Sequence, residues 1–241
     1  MSKRNAQRKK QQKRQQQMRL LAISVIVIAS IVGFLILTAG NDRVRVTFPD
    51  IHGMSFSGDG AQLWVATHNG LVVYENGDWA KPDLPINDYM GYSGTADGFF
   101  SSGHPGPGSN LINPLGLVRS QDYGKTLTTV NFSGQSDFHT MAASYYGETV
   151  YVVNPRPNSL LSTGMFYSLD GGETWEQSAA DGLASSPIQL AVHPERSNIV
   201  AVATQNGLLL SEDFGDTFTP ITRDMTTSVA FAPDGERLIY G

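Results

Sequence analysis

The sequence predicts an all-β fold, a β-propeller of four-stranded antiparallel units, preceded by one N-terminal transmembrane helix. Three observations predict it. The segment 65–74 returns at 202–211 with six of its ten residues identical, and two intermediate copies divide the interval into periods of about 46 residues. A Ser-x-Asp-x-Gly-x-Thr pattern, typical of a tight turn, follows three of the four copies. A run without any charged residue, 20–39, precedes all of them.

The first forty residues predict a membrane anchor. Residues 1–19 carry eight Lys and Arg and no acidic residue, and the uncharged run 20–39 follows them. A helix of that length spans the roughly 30 Å hydrocarbon core of a membrane. The positive-inside rule then places 1–19 in the cytoplasm as a basic tail and the rest outside the cell, so we expect a single-pass protein of the cell membrane. A cleaved signal peptide is the alternative, because Thr38, Ala39 and Gly40 are small.

Charge separates the remainder of the chain from this tail. From Asn41 onward nine basic residues face 22 acidic ones, which gives a net charge of −13. Nucleic acid is therefore not an expected partner, since phosphate contact requires a basic patch. The sequence contains no cysteine, so packing rather than disulfides must hold the fold.

The repeat predicts the blades. Each unit reads as strand, turn, strand, loop, strand, Asp-containing turn and strand, which is the pattern of a propeller blade. Residues 50–241 are the expected propeller, with 40–49 as a linker or as the strand that closes the last blade. The expected blades are 52–80, 88–130, 137–178 and 187–222, with a partial fifth at 227–241.

The Asp-containing turns have a structural explanation. Ser and Asp side chains can bond to the turn backbone, and Gly supplies a positive φ. We therefore expect structural rather than catalytic roles for the fixed positions, which are Ser120, Asp122, Gly124 and Thr126, then Ser168, Asp170, Gly172, Thr174 and Trp175, and then Ser211, Asp213, Gly215 and Thr217.

These turns resemble the Asp box, Ser-x-Asp-x-Gly-x-Thr-Trp, of the bacterial neuraminidase-type (BNR) repeat. The turn at Ser168 matches every fixed position, whereas Leu127 and Phe218 replace the final Trp in the other two. From residue 50 onward the chain resembles bacterial Asp-box glycosyl-hydrolase-like proteins of the sialidase superfamily. The resemblance implies six or more blades, so that this chain would be truncated within the fifth. The sequence contains no Arg-Ile-Pro motif, so the activity of a typical sialidase is not expected.

Histidines and acids collect at one predicted face of the propeller. In a four-stranded blade the start of the first strand and the loop after the second strand lie on the same face. His52, Asp88 and His139 occupy equivalent positions at the starts of first strands, while His68 and His104 follow second strands. We therefore expect these five side chains to share one open face.

Two kinds of chemistry suit this set. Imidazoles with a carboxylate bind zinc, manganese or iron, so His52, His68, His104, His139 and Asp88 form a candidate divalent-metal site. Asp50 and Asp137 would then serve either as outer ligands or as groups that orient the imidazoles. The metal-free alternative uses Asp88, Asp137 and His139 as catalytic proton-transfer residues acting on a glycan. The third interpretation makes the loop histidines polar surface groups, as expected of His193.

The sequence therefore leaves three functions open. The favoured one is a binding or assembly scaffold that takes a glycan or protein ligand on the His/Asp-lined face. The others are a glycosyl-hydrolase-like enzyme acting on extracellular glycans and a metal-dependent enzyme using the histidines. The long loop 103–113 lies on the same predicted face and is expected to contribute binding residues.

Overall fold

The chain divides into two units, Met1–Arg45 and Val46–Gly241. In the first unit, residues 27–32 are helical and exposed. Among the described residues there is no helix with the length and apolar character that crossing a membrane requires. Most of the predicted tail and most of the predicted transmembrane helix lie outside the described residues. The computed structural model describes residues 13–14, 18, 21, 27–32 and 46–241.

The second unit is all-β and consists of four four-stranded antiparallel sheets followed by a two-stranded one. Strand order within each sheet follows the chain, as in a propeller blade. The prediction of an all-β propeller built from four-stranded blades is confirmed.

The strands of the first two blades are β1 (Ile51–Phe56), β2 (Leu63–Thr67), β3 (Gly70–Glu75) and β4 (Asp78–Ala80), then β5 (Asp88–Thr95), β6 (Gly98–His104), β7 (Leu117–Ser120) and β8 (Thr128–Asn131). Those of the next two are β9 (Met141–Ala143), β10 (Val150–Asn154), β11 (Gly164–Ser168) and β12 (Glu176–Gln177), then β13 (Pro187–Val192), β14 (Val200–Thr204), β15 (Gly207–Ser211) and β16 (Thr219–Thr222). The two-stranded sheet pairs β17 (Val229–Phe231) with β18 (Leu238–Tyr240).

The hydrophobic core lies between neighbouring blades. Phe100 and Leu117 of the second blade share one cluster with Val150 and Phe166 of the third. Because blades cover both faces of the middle strands, those strands read as continuous apolar runs, and every residue of β14 is buried. The blades are therefore held together by packing, as a chain without cysteine requires.

The first strands of successive blades run beside one another along the inside of the arc, with β5 between β1 and β9. Gly91 of β5 lies so close to the third blade that a Cβ at this position would come within 1.9 Å of the Phe138 carbonyl oxygen. Only glycine permits this approach. The starts of these inner strands, which carry the candidate residues, are consequently brought near each other.

Each Ser-x-Asp-x-Gly-x-Thr turn is closed by the same hydrogen bonds. In the third blade the Ser168 hydroxyl donates to Asp170 Oδ1 (2.7 Å) and accepts from the Gly172 amide (2.8 Å). Thr174 donates to the same aspartate from its amide (2.9 Å) and from its hydroxyl (2.6 Å). The bonds from Thr174 and Ser168 lower the pKa of Asp170 to about 2. The aspartate is thus held as a carboxylate by the turn that it closes.

Candidate metal centre

Three of the candidate side chains meet where the first two blades adjoin. His52 lies at the start of β1, and His68 follows the end of β2, since Ile51 pairs with Thr67 in the antiparallel register. Asp88 is the first residue of β5, the neighbouring inner strand. Local strand pairing brings the two histidines together, and blade packing supplies the carboxylate.

Their ligand atoms form a small triangle. His52 Nε2 lies 3.3 Å from His68 Nδ1, and Asp88 Oδ2 lies 2.8 Å from that same nitrogen. Asp88 Oδ1 is 3.6 Å from His52 Nε2. Zinc bonds of about 2.0–2.1 Å at tetrahedral angles separate neighbouring ligand atoms by roughly 3.3–3.4 Å. One atom from each residue lies within 4.8 Å of the other two, so the triangle has the dimensions of three ligands around one ion.

Without a metal ion, the available protons do not give every one of these nitrogen and oxygen atoms a hydrogen-bond partner. His68 has a carboxylate beside each ring nitrogen: Asp50 Oδ2 lies 3.2 Å from Nε2 and Asp88 Oδ2 lies 2.8 Å from Nδ1, so a neutral ring can donate to only one of them. A second proton on His68 would satisfy Asp88 Oδ2. It would still leave Asp88 Oδ1 without a donor, because this oxygen is buried and has no hydrogen-bond partner within the described part of the chain. A cation between the three residues satisfies both oxygens and both rings.

Burial favours the neutral form of His52. Its side chain is only 14% exposed, and this burial, followed by the proximity of His68, lowers its pKa below the ordinary value of 6.5. The nearby carboxylates of Asp88 and Asp50 oppose the shift only in part. A neutral imidazole is the form that binds a metal ion.

A second group surrounds Asp137. His139 Nε2 lies 2.6 Å and His104 Nε2 lies 3.2 Å from Asp137 Oδ2. The other ring nitrogen of His104, Nδ1, lies 2.7 Å from the side-chain amide of Asn113. Asp88 and His104 are partners in the β5–β6 register, so the two groups adjoin at the same end of the second blade.

Comparison with protein families identifies the wider group. Residues 116–240, just over half of the chain, match the family described as sortilin, neurotensin receptor 3 (Sortilin-Vps10). The chain belongs to the Sortilin-Vps10 family. Comparison of this family member with curated proteins gives no significant match.

Solved structures share the fold at low sequence identity. A GH74 enzyme from Niastella koreensis superposes with a TM-score of 0.55 at 16% identity, over 80% of this chain and 33% of the enzyme. The GH74 xyloglucanase from Xanthomonas campestris gives 0.51 at 13% identity, over 78% and 33%. A gluconolactonase from the same organism gives 0.54 at 13% identity, over 79% and 68%.

These likenesses establish the fold of this Sortilin-Vps10 family member. The recognition of a β-propeller that resembles glycosyl hydrolases is thereby confirmed at the level of the fold. The chain spans about a third of the length of the two GH74 enzymes.

The structure divides the five residues expected on one face. It brings His52, His68 and Asp88 together with Asp50. It places His104 and His139 around Asp137 instead. Asn113 was not among the candidates, and only its place in the long loop 103–113 pointed to this face.

His193 differs from the surface group that the sequence suggests. Its ring is buried, with 5% of the residue exposed, and packs 5.3 Å from the Phe231 ring. Its Nδ1 accepts hydrogen bonds from the backbone amides of Glu195 (3.2 Å) and Arg196 (3.0 Å). The residue therefore closes a turn and takes no part in either group.

Proposed function

We propose that this chain is a ligand-binding propeller whose site is centred on a divalent transition-metal ion held by His52, His68 and Asp88. One observation carries the proposal: the ligand atoms of three residues converge, and the buried Asp88 Oδ1 among them has no hydrogen-bond partner in the described residues. Two imidazoles with one carboxylate suit zinc, manganese or iron.

The number of ligands favours a binding site over a closed structural one. Structural zinc sites have four protein ligands, whereas sites with three leave a position for water or a ligand. His68 is 40% exposed, so the ion would face solvent at the end of the inner strands. Two structural neighbours are named for xyloglucan and gluconolactone, which supports a ligand rich in hydroxyl groups, such as a glycan.

Metal analysis of the purified full chain tests the proposal. After chelation and dialysis, titration with Zn²⁺ followed by calorimetry should give one equivalent bound. His52→Ala and Asp88→Ala should each weaken binding at least about tenfold, because each removes a ligand. An affinity tag without histidine keeps the measurement specific.

His139→Ala is the matched control, because it removes an exposed histidine outside the triangle. It should leave the zinc affinity within about threefold of the wild type. A wild-type chain that binds no stoichiometric metal would refute the proposal, as would unchanged binding by His52→Ala.

We further propose that residues 20–39 anchor the propeller on the outer side of the cell membrane. The basic tail and the net charge of −13 beyond residue 40 support this orientation. Carbonate extraction and protease treatment of intact cells test it. Recovery of a soluble chain that starts near residue 40 would favour a cleaved signal peptide instead.

A further inference from the structure

We infer that His139, oriented by Asp137, is a general base for a water molecule bound to the metal ion, and that the site hydrolyses neutral carboxylic esters. The inference rests on the proposed metal site and assigns a chemical role to the second histidine group.

The second group is built around one carboxylate oxygen. His139 donates its Nε2 proton to Asp137 Oδ2 at 2.6 Å. His104 Nε2 lies 3.2 Å from the same oxygen, and His104 Nδ1 donates to the side-chain oxygen of Asn113 at 2.7 Å. Asp137 Oδ1, like Asp88 Oδ1, is buried without a hydrogen-bond partner among the described residues, so the exposed His139 ring is what distinguishes this group from the His52 triangle.

The hydrogen bond to Asp137 fixes the tautomer of His139. With the proton on Nε2, a neutral ring presents an unprotonated Nδ1, and no group among the described residues bonds to that nitrogen. The side chain is 57% exposed, so Nδ1 is open to water. A carboxylate behind an imidazole holds its orientation and stabilises the imidazolium that forms when the ring takes up a proton.

The two groups adjoin at the same end of the second blade. Asp88 and His104 are register partners, which sets the second group next to the metal triangle. His139 also interacts electrostatically with His52 and contributes to the lowering of the His52 pKa. A metal-bound water between them would meet both a Lewis acid and a base.

Charge and chemistry select the substrate class. The net charge of −13 beyond residue 40 disfavours phosphate esters and other anions. Glycoside cleavage requires a free carboxylic acid as proton donor, and Asp88 and Asp137 are both engaged by imidazoles. Hydrolysis of an ester requires only a nucleophilic oxygen that attacks the carbonyl carbon. Neutral esters are therefore the substrate class that remains.

The step balances without a further reactant. The water oxygen forms a bond to the ester carbonyl carbon while one water proton passes to His139 Nδ1. The bond from that carbon to the alkoxy oxygen then breaks, and the alcohol leaves with the proton from His139. The carboxylic acid and the alcohol are the products.

Ester hydrolysis by the zinc-loaded full chain tests the inference, with p-nitrophenyl acetate as the probe. His139→Ala should lower kcat by about 10²–10⁴-fold, and added imidazole should restore part of it. Asp137→Asn should lower kcat with little change in KM, because Asp137 positions the base and does not touch the ester. Asp83→Asn, an exposed acid outside both groups, is the control and should match the wild type.

A second measurement does not depend on turnover. In the metal-free chain, diethylpyrocarbonate should modify His139 faster than the buried His193, and Asp137→Asn should change the His139 rate but not that of His193.

Loss of metal binding would refute the proposed function. Normal metal binding without ester hydrolysis, or full activity in His139→Ala, would overturn this inference alone. Cleavage of glycosides but not of esters would overturn it as well.

Discussion

At the scale of single residues, Asp50 lies beside His68, one of the three ligands of the proposed metal site. Its carboxylate is 76% exposed and lies 3.2 Å from His68 Nε2, on the side of the ring away from Asp88. Asp50 adopts a positive φ of 44°, which is uncommon for a residue other than glycine. A carboxylate behind a ligating imidazole fixes its tautomer and raises its basicity.

Replacing Asp50 therefore tests the site without removing a ligand. Asp50→Asn should weaken zinc affinity by about 10–100-fold while one equivalent still binds at saturation. Calorimetric titration measures both quantities, with Asp83→Asn as the control. Equal affinities in Asp50→Asn and the wild type would show that the carboxylate merely lies near the ring.

The sequence predicted which residues share a face but not how they group. Equivalent positions in successive repeats place His52 and Asp88 at the starts of neighbouring strands, and packing brings them together. His139 has the same position in its repeat, yet Asp137, two residues before it, binds its ring at 2.6 Å. A repeat fixes the position of the backbone, whereas the direction of a side chain depends on the nearest partner. The two-residue spacing indicated Asp137 as this partner, but it did not show that His104 would lie against the same carboxylate.

At the scale of elements, the Asp-containing turns depend on an ionised aspartate. Hydrogen bonds from Thr217 and Ser211 lower the pKa of Asp213 to about 2, as the equivalent bonds do for Asp170. Aspartate in an unfolded chain titrates near 3.8. Because the folded pKa is lower, each group contributes stability above pH 4, and that contribution is lost as the pH falls from about 4 to 2.

Because folding lowers the pKa of the aspartate, the effect of replacing it should depend on pH. Asp170→Asn should destabilise the chain at pH 7, where the wild-type carboxylate accepts three hydrogen bonds, and much less at pH 2. Urea unfolding at the two pH values, followed by tryptophan fluorescence, provides the measurement. The same loss at both values would mean that the charge of Asp170 is irrelevant to the turn.

Arg119 joins elements of two blades. It lies on β7, and its guanidinium makes two hydrogen bonds to Glu148, at 2.6 and 2.8 Å, in the turn before β10. The same group lies 4.9 Å from the centre of the Phe100 ring. Paired bonds of this kind are stronger than single surface ion pairs.

Arg119→Ala should therefore lower the free energy of unfolding by about 1–2 kcal/mol, a value reduced because Glu148 is half exposed. Arg119→Lys keeps the charge but not the paired bonds, so it should recover only part of the loss. Denaturant midpoints measure both variants. If Arg119→Ala were as stable as the wild type, the paired hydrogen bonds between Arg119 and Glu148 would contribute nothing to stability.

At the scale of the whole propeller, the period of the repeat is what the sequence reveals best. Recurrence every 46 residues or so predicts the blades, because each blade is one unit that cannot bury its apolar faces alone. The contacts between blades are not periodic. The approach of Gly91 to Phe138 joins residues of different repeats, and nothing in either repeat marks it.

The contact between Gly91 and Phe138 links blade packing to the second histidine group. Phe138 is fully buried and lies between Asp137 and His139 in the chain, and its amide donates a hydrogen bond to the Ser102 hydroxyl (2.9 Å). A methyl group at Gly91 would meet its carbonyl oxygen at 1.9 Å, so the backbone that carries both functional residues must move. Side chains alone cannot relieve the overlap.

Gly91→Ala should accordingly destabilise the propeller by about 1–3 kcal/mol and lower ester hydrolysis more than zinc affinity. The proposed zinc ligands lie on β1, β5 and the loop after β2. Asp137 and His139 are the chain neighbours of Phe138, so we expect them to move with it. Gly147→Ala is the control, since its added methyl group meets only the Ser144 side chain, with the hydroxyl oxygen at 2.7 Å, and no backbone atom within 4 Å. Calorimetric unfolding, zinc titration and hydrolysis of p-nitrophenyl acetate on the same samples separate the effects. Equal losses of metal affinity and activity would mean that the two groups respond to blade packing as one unit.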